Sequence, residues 1–274
     1  MLDIKTNWRQ LINNRKKRGL HGYQLLISVI HYYFRQFLRF TIHRNKNLIH
    51  GRALYSLPVL VSYPRSGTNW LRFIIESLTD KRTPGQIRYS RSKEYAVDRA
   101  HCASKNGMKY DKMILVLRDY RECMLRHLDA LWLHHQNVED FLNEQNVISK
   151  PSWYVDNIKA FEDFPRQKLL LYYEDLVDNP SEYVKELGQF LGVEELKILH
   201  FLKELPKKQQ ESEASYNKTH GAHTAGKKSK HSFHSKKLLS SEQAKNFDRY
   251  FATNYPEIWE KYLKRYTFTV TTKK

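Results

Sequence analysis

The sequence predicts an α/β domain built on a doubly wound parallel sheet with helices on both faces. Three observations carry this. Short runs of five or six apolar residues recur at Leu57–Ser62, Met113–Leu117 and Lys168–Tyr173. Strands apolar throughout, rather than alternating, belong to sheets buried on both faces. Helix-compatible stretches separate them, the arrangement that parallel pairing requires. No internal repeat competes with this reading. The domain is assigned to residues 51–274, and residues 1–50 to a helical N-terminal extension.

The extension is basic. Arg15-Lys16-Lys17-Arg18 precedes YQLLISVIHYYFRQFLRFTIH at 23–43. On a helix Gln24, Ser28, His31, Arg35, Arg39 and His43 form one narrow polar stripe. Such a helix suits packing on the domain, or a basic amphipathic anchor in a membrane interface. A tilted span is the third alternative, at odds with two arginines in the segment. Peripheral membrane contact through residues 15–43 is therefore an expectation beside simple packing.

The first strand runs directly into Tyr63-Pro64-Arg65-Ser66-Gly67-Thr68-Asn69 and a helix at Asn69–Thr79. A tight strand-to-helix turn presents backbone N–H groups and the positive helix end to an anion. Gly67 allows close backbone approach, Pro64 fixes the exit from the strand, and Arg65 brings a full charge. Ser66, Thr68 and Asn69 add side-chain donors. The nucleotide signature G-x-x-x-x-G-K-[ST] is absent, so the anion is not assigned by that motif. The strand MILVL is followed at once by Arg118, where ligands of open parallel sheets bind. Arg126 lies two turns into the next helix, over Arg121–Trp132. The spacing alone leaves open whether Arg126 meets Arg118.

After the strand KLLLYY, Asn179-Pro180-Ser181 starts a helix that Gly192 follows. Residues 207–237 contain almost no aliphatic side chains and read as a long loop. The closing segment returns to helix, with Ser240 as cap and Phe247, Tyr250 and Phe251 on one face.

Composition bounds the function. Lys and Arg number 47 against 29 acids, a formal charge of +18, which implies anionic partners without saying which. No uncharged apolar run reaches the ~18 residues of an ordinary span. No secretory signal is visible, and Cys102 and Cys123 cannot form a disulfide framework, so a cytoplasmic setting is expected, with membrane association through the extension as its variant. Both thiols lack a surrounding triad and are read as inert. The pairs His220/His223 and His231/His234 have no adjacent Cys or carboxylate and sit among lysines, so no metal is expected.

YPRSGTNWL resembles the 5′-phosphosulfate loop of sulfotransferases that use 3′-phosphoadenosine 5′-phosphosulfate (PAPS). VLRDYREC is similar to their 3′-phosphate motif, and YYEDLVDNP with FLG at 190–192 to the family's Tyr-Glu-Asp-Leu segment and the helix after it. PSWYVDNIKAFEDFP, at 151–165, resembles the Ser-Trp stretch of many members. The matches span about 57–192 in family order. The resemblance implies a fold like that of P-loop nucleotide kinases and an enzyme moving a sulfuryl group from PAPS to an acceptor hydroxyl or amine of a glycan, lipid or small metabolite. It implies that Arg65 stabilises the bridging oxygen and that Ser66, Gly67, Thr68 and Asn69 cradle the 5′ group. It places Trp70 and Tyr173 near the adenine, and Arg118 at the 3′-phosphate. Arg126 stands where members usually carry Ser, and Lys227, Lys228 and Lys230 would replace a late Arg-Lys-Gly clamp. His101 is the implied base, with Arg99 beside it to neutralise the sulfuryl group; Asp98 and Glu94 are the alternatives. An ATP-dependent small-molecule kinase shares the fold but wants a Gly-Lys loop and a magnesium-binding carboxylate. A non-enzymatic polyanion binder would suit the charge, although no nucleic-acid motif is present and no specific nucleic acid is expected.

Overall fold

The computed structural model describes residues 56–85, 89–103, 109–130, 141–142, 150–220 and 241–269. Residues 15–43 and Lys227, Lys228 and Lys230 lie outside them, as does Ser240. Among the described residues, β1 (Val59–Ser62), β2 (Asp98–Ala100), β3 (Lys112–Leu117) and β4 (Gln167–Tyr172) form one parallel sheet in the order β2-β1-β3-β4. Val59 pairs with Met113, and Ser62 with Val116; Leu117 pairs with Tyr172. The strands therefore end together. From β1 the chain goes out to β2, then returns across β1 to β3. The order reverses between β1 and β3, and the crevice beyond their carboxyl ends is the ligand position of such sheets.

The two buried faces explain the apolar strands. Leu60, Ile114, Val116, Leu169 and Leu171 share a core with Trp70, Leu71, Phe73, Ile74, Ile75 and Leu78 of α1 (Thr68–Thr79). α2 (Tyr120–Ala130) follows β3, and α3 (Ser152–Glu162) packs on β1 and β3. α4 (Tyr173–Asp178), α5 (Pro180–Phe190) and α6 (Glu195–Lys203) come next, and the first core takes in Leu176, Val184, Leu187, Ile198 and Phe201 from them. Pro180 opens α5, where its missing N–H costs nothing, and Gly192 takes a φ of 71° just past its end.

α7 (Leu205–His220) corrects the expectation of a loop from residue 207. Its composition is polar, but Lys, Gln, Glu and Ala are good helix formers. Lys208 pairs with Glu204 and Glu211 along it, and Leu205 and Ser212 are buried. The sequence reading also missed β2. Its residues, Asp-Arg-Ala, have no strand signature and are held only by pairing with β1. Tyr173 opens α4 rather than closing β4.

α8 (Ser241–Asn254) runs into a short helix, a π turn and a 3₁₀ turn ending at Thr269. Phe247 and Phe251 are fully buried, and Phe251 meets Tyr120 with ring centroids 4.9 Å apart. Asp248 accepts from the Tyr120 hydroxyl, and Arg121 pairs with Asp119 at 3.0 Å. The C-terminal segment is thus bolted to the start of α2. No helix among the described residues is long and apolar enough to cross a membrane.

Candidate active site

The loop after β1 turns through two left-handed residues, Arg65 at φ 73° and Gly67 at φ 80°. For Gly this is free; for Arg it is strained, and strain of this kind gathers at functional sites. The Ser66 N–H bonds back to the Tyr63 carbonyl at 3.2 Å, and α1 starts directly after the turn with its first N–H groups outside the helix's own ladder. The structure differs from expectation in its side chains. Ser66 is wholly buried and its hydroxyl meets Cys123 Sγ at 3.3 Å; Thr68 Oγ1 bonds Ser62 Oγ at 2.7 Å. Asn69 Oδ1 accepts from Arg72 Nη1 at 3.2 Å. These side chains shape the turn, and the positive end of α1 is what it offers an anion. Trp70 is 3% exposed and stacks on Phe73 in the core, beneath the loop rather than in the crevice.

Tyr173 lies against Gly67. A Cβ at Gly67 would fall 2.1 Å from the tyrosine ring. Gly67→Ala is expected to cost roughly 2 kcal/mol through that overlap and the positive φ, read as a lower urea midpoint. Tyr173 also supports Arg118, whose Cζ sits 4.4 Å from its ring centroid. Arg118 Nη1 donates to the Arg65 carbonyl at 3.3 Å, so the ends of β1, β3 and β4 converge. The Arg118 carbonyl is itself held by the buried Tyr154 hydroxyl at 2.7 Å.

Arg126 does meet Arg118, through a residue the sequence reading passed over. Glu122 Oε2 accepts from Arg126 Nε at 2.6 Å and lies 3.9 Å from Arg118 Nη2. The three follow one another at single-turn spacing on one face, a signal present in the sequence.

At the end of β2, His101 has both ring nitrogens occupied. Nδ1 lies 2.9 Å from the Ser62 carbonyl, which can only accept, so this nitrogen carries the proton. Nε2 is 3.3 Å from Arg99 Nη2 and accepts from it. Burial, and then Arg99, lower the His101 pKa below the usual value, although the bond to Ser62 opposes them. Burial likewise lowers Arg99, to about 10, helped by the charge of Arg72. The alternative carboxylates are engaged elsewhere. Asp98 takes the Tyr110 hydroxyl on one oxygen and the Arg99 N–H on the other, and Glu94 pairs with Lys81 at the surface.

His127 is the other residue not foreseen. It lies one turn beyond Cys123 and Met124 on the inner face of α2, a position that could have marked it as buried. Burial, then Arg65, then His101, lower its pKa to about 4. The unfolded chain thus binds this proton below about pH 6.5 and the folded one does not, so folding stability falls between pH 6.5 and 4. His127→Phe should lose about 1–2 kcal/mol less stability than the wild type between pH 7 and pH 5 in urea titrations. Burial pushes the Cys123 thiol up to about 12, which keeps it inert as expected. Among the described residues no three His, Cys, Asp or Glu side chains form a metal-holding group. Arg65 Nη1 reaches the Tyr216 hydroxyl at 3.5 Å, bringing α7 beside the loop.

The family model of the sulfotransferase domain matches residues 108–264, more than half of the 274-residue chain. The chain belongs to this family and is a sulfotransferase. The matched span begins beyond the loop at 63–70. Among solved structures, the chain is similar to mouse sulfotransferase SULT7A1 complexed with PAP (3′-phosphoadenosine 5′-phosphate): TM-score 0.52, 16% identity, over 78% of this chain and 88% of that one. It is similar also to retinol dehydratase in complex with androsterone and PAP, at TM-score 0.51 and 16% identity, over 78% of this chain and 86% of that one. A second retinol dehydratase structure, with retinol and PAP, gives TM-score 0.51 and 16% identity over 73% and 81%. At these identities the likeness is one of fold. No curated protein sequence matches the chain significantly.

Proposed function

We propose that the chain transfers the sulfuryl group of PAPS to an acceptor hydroxyl or amine, without a metal. The observation that carries this reading is the convergence of four strand ends on one anion site: the loop of Arg65 and Gly67, His101 with Arg99, Arg118, and Tyr173. PAP in the structures of similar fold supports the choice of nucleotide.

In this reading the start of α1 and Arg65 hold the 5′-phosphosulfate, and Arg118 with Arg126 hold the 3′-phosphate. Arg guanidinium groups suit such anions because their donors are fixed in a plane. The acceptor oxygen or nitrogen attacks sulfur in line, the bond from sulfur to the bridging oxygen breaks, and PAP leaves. His101 Nε2 takes the acceptor proton. It can do so only once Arg99 moves off it, and the sulfuryl oxygens offer Arg99 a better partner than an imidazole lone pair. Arg65 balances charge building on the leaving oxygen. Tyr173 contributes by supporting Arg118 and the loop, and Trp70 by packing α1 below it. Lys227, Lys228 and Lys230 remain candidates for closing the donor site from the sequence beyond α7.

Calorimetry with PAP at low salt tests the reading. Stoichiometric binding that Arg118→Ala weakens by at least tenfold is expected; no heat of binding would sink it. The rate should also report the two titrating groups. The active form has His101 neutral and Arg99 charged, so kcat/KM should fall on acidification below pH 6.5 and fall also as pH rises through about 10.

A further inference from the structure

We propose that Asn157 is a positioning residue for the reaction: its amide fixes the main chain that carries His101, and so sets where the base stands against the acceptor. This rests on the reading of His101 as the base of PAPS transfer. The base follows β2, which is three residues long and whose pairing with β1 ends at Ala100. His101 therefore lies just past the last residue that the sheet holds. Its ring is tied to β1 from Nδ1 to the Ser62 carbonyl, at 2.9 Å. Its main chain is tied elsewhere. Asn157 Nδ2 donates to the His101 carbonyl at 3.1 Å, and Asn157 Oδ1 accepts from the Ala103 N–H at 2.7 Å.

These two bonds settle which way the amide faces, because a carbonyl can only accept and an N–H only donate. The side chain gives and takes as a peptide group of a neighbouring strand would, with Cys102 between its two partners. An aspartate there could only accept, and an alanine could do neither. Asn157 is 1% exposed and sits at the middle of α3, which packs on β1 and β3. One turn earlier on the same helix, Tyr154 holds the Arg118 carbonyl. The helix thus braces the base and Arg118 through separate side chains, so Asn157 can be altered without touching the brace on Arg118. Its effect on the rate is exerted through His101 alone. A base displaced by about 1 Å can lose on the order of a hundredfold in rate.

Histidine ¹⁵N spectra of the full chain read the base directly, in wild type, Asn157→Ala and Asn157→Asp. In wild type His101 should hold its proton on Nδ1. Both variants should lose that fixed tautomer and exchange between the two, while calorimetry finds PAP bound within about twofold of wild type. Asn157→Asp keeps the shape and the Ala103 bond, and carries the test if the alanine variant does not fold. The rate is read as labelled sulfate released from PAPS to water, which needs the base and no chosen acceptor. It should fall by about ten- to a hundredfold in either variant, and by less than about threefold where His101→Ala is already present. An unchanged Nδ1 tautomer overturns the proposal, as does an equal loss with and without His101. So does a loss of PAP affinity in step with the rate, or failure of both variants to fold, since each is what a purely structural residue gives. Two other results differ from these. Full activity in His101→Ala removes the base assignment, and this proposal with it; failure of the wild type to bind PAP removes the PAPS reading itself.

Discussion

Arg65→Gly is expected to lower kcat by about 10²–10³ while leaving the fold as stable as before or up to about 1 kcal/mol more stable. The two effects have separate origins in one residue. The side chain is exposed and stands at the mouth of the crevice, so its removal empties no core. The backbone sits at φ 73°, which glycine tolerates and arginine does not. Arg65→Ala supplies the control. It removes the same guanidinium but keeps the strained backbone, so it should match the glycine variant in kcat and fall below it in thermal midpoint. Acid-quench assays with labelled PAPS and differential scanning calorimetry read the pair. Equal midpoints for the two variants would mean that φ at this position carries no strain.

Glu76→Ala is expected to destabilise the protein by about 3–5 kcal/mol, the cost of uncovering a buried charge. Glu76 is 2% exposed, and its carboxylate accepts from the N–H groups of Thr83, Tyr89 and Ser90 and from the Thr83 hydroxyl. It also lies 3.5 Å from Arg72, which is 1% exposed. Taking away the carboxylate strands those donors and leaves the guanidinium unneutralised. Because Arg72 also holds Asn69 beside the proposed phosphosulfate loop, nucleotide affinity should fall with stability. The double variant Arg72→Met/Glu76→Leu should regain much of the stability, since a matched apolar pair avoids the desolvation cost. It should not regain the affinity, because Asn69 has still lost its anchor. Guanidinium denaturation alongside PAP calorimetry separates the two effects.

The sheet and the loop at its switch point were legible because both follow from local chemistry. Apolar strands ending in Tyr-Pro-Arg-Ser-Gly-Thr-Asn and in Arg118 mark the carboxyl edge of a parallel sheet, and the structure brings those ends together. β2 was not legible, since Asp98, Arg99 and Ala100 become a strand only by lying beside β1. Residues 205–220 hid in a different way. A helix with weak amphipathicity looks like a loop when judged by its lack of aliphatic side chains, and its helix formers were the better guide. Motif and position singled out Arg65, Arg118 and His101, and the structure brings them to neighbouring strand ends. Glu122 between Arg118 and Arg126 follows from i,i+4 spacing and was passed over. Arg99 on His101 Nε2 was not given by spacing, because whether residues two apart meet depends on their tertiary setting. The side chains of Ser66, Thr68 and Asn69, expected to add donors for the ligand, bond within the protein, because a hydroxyl or amide in such a turn can face either way and packing decides.

The contact between Arg99 and His101 bears on the sequence of events in a turnover. With the crevice open, the lone pair that would accept a proton is already taken by a guanidinium. An acceptor arriving first finds no base, and water is equally denied one. On the proposed mechanism the sulfonate draws Arg99 away, so the nucleotide should enter before the acceptor, and a vacant enzyme should give the acceptor little hold. Initial-rate patterns with PAP as a dead-end inhibitor should then be competitive against PAPS and noncompetitive against the acceptor. In an Arg99→Met variant that compulsory order should relax towards random addition, at the expense of more idle hydrolysis of the donor.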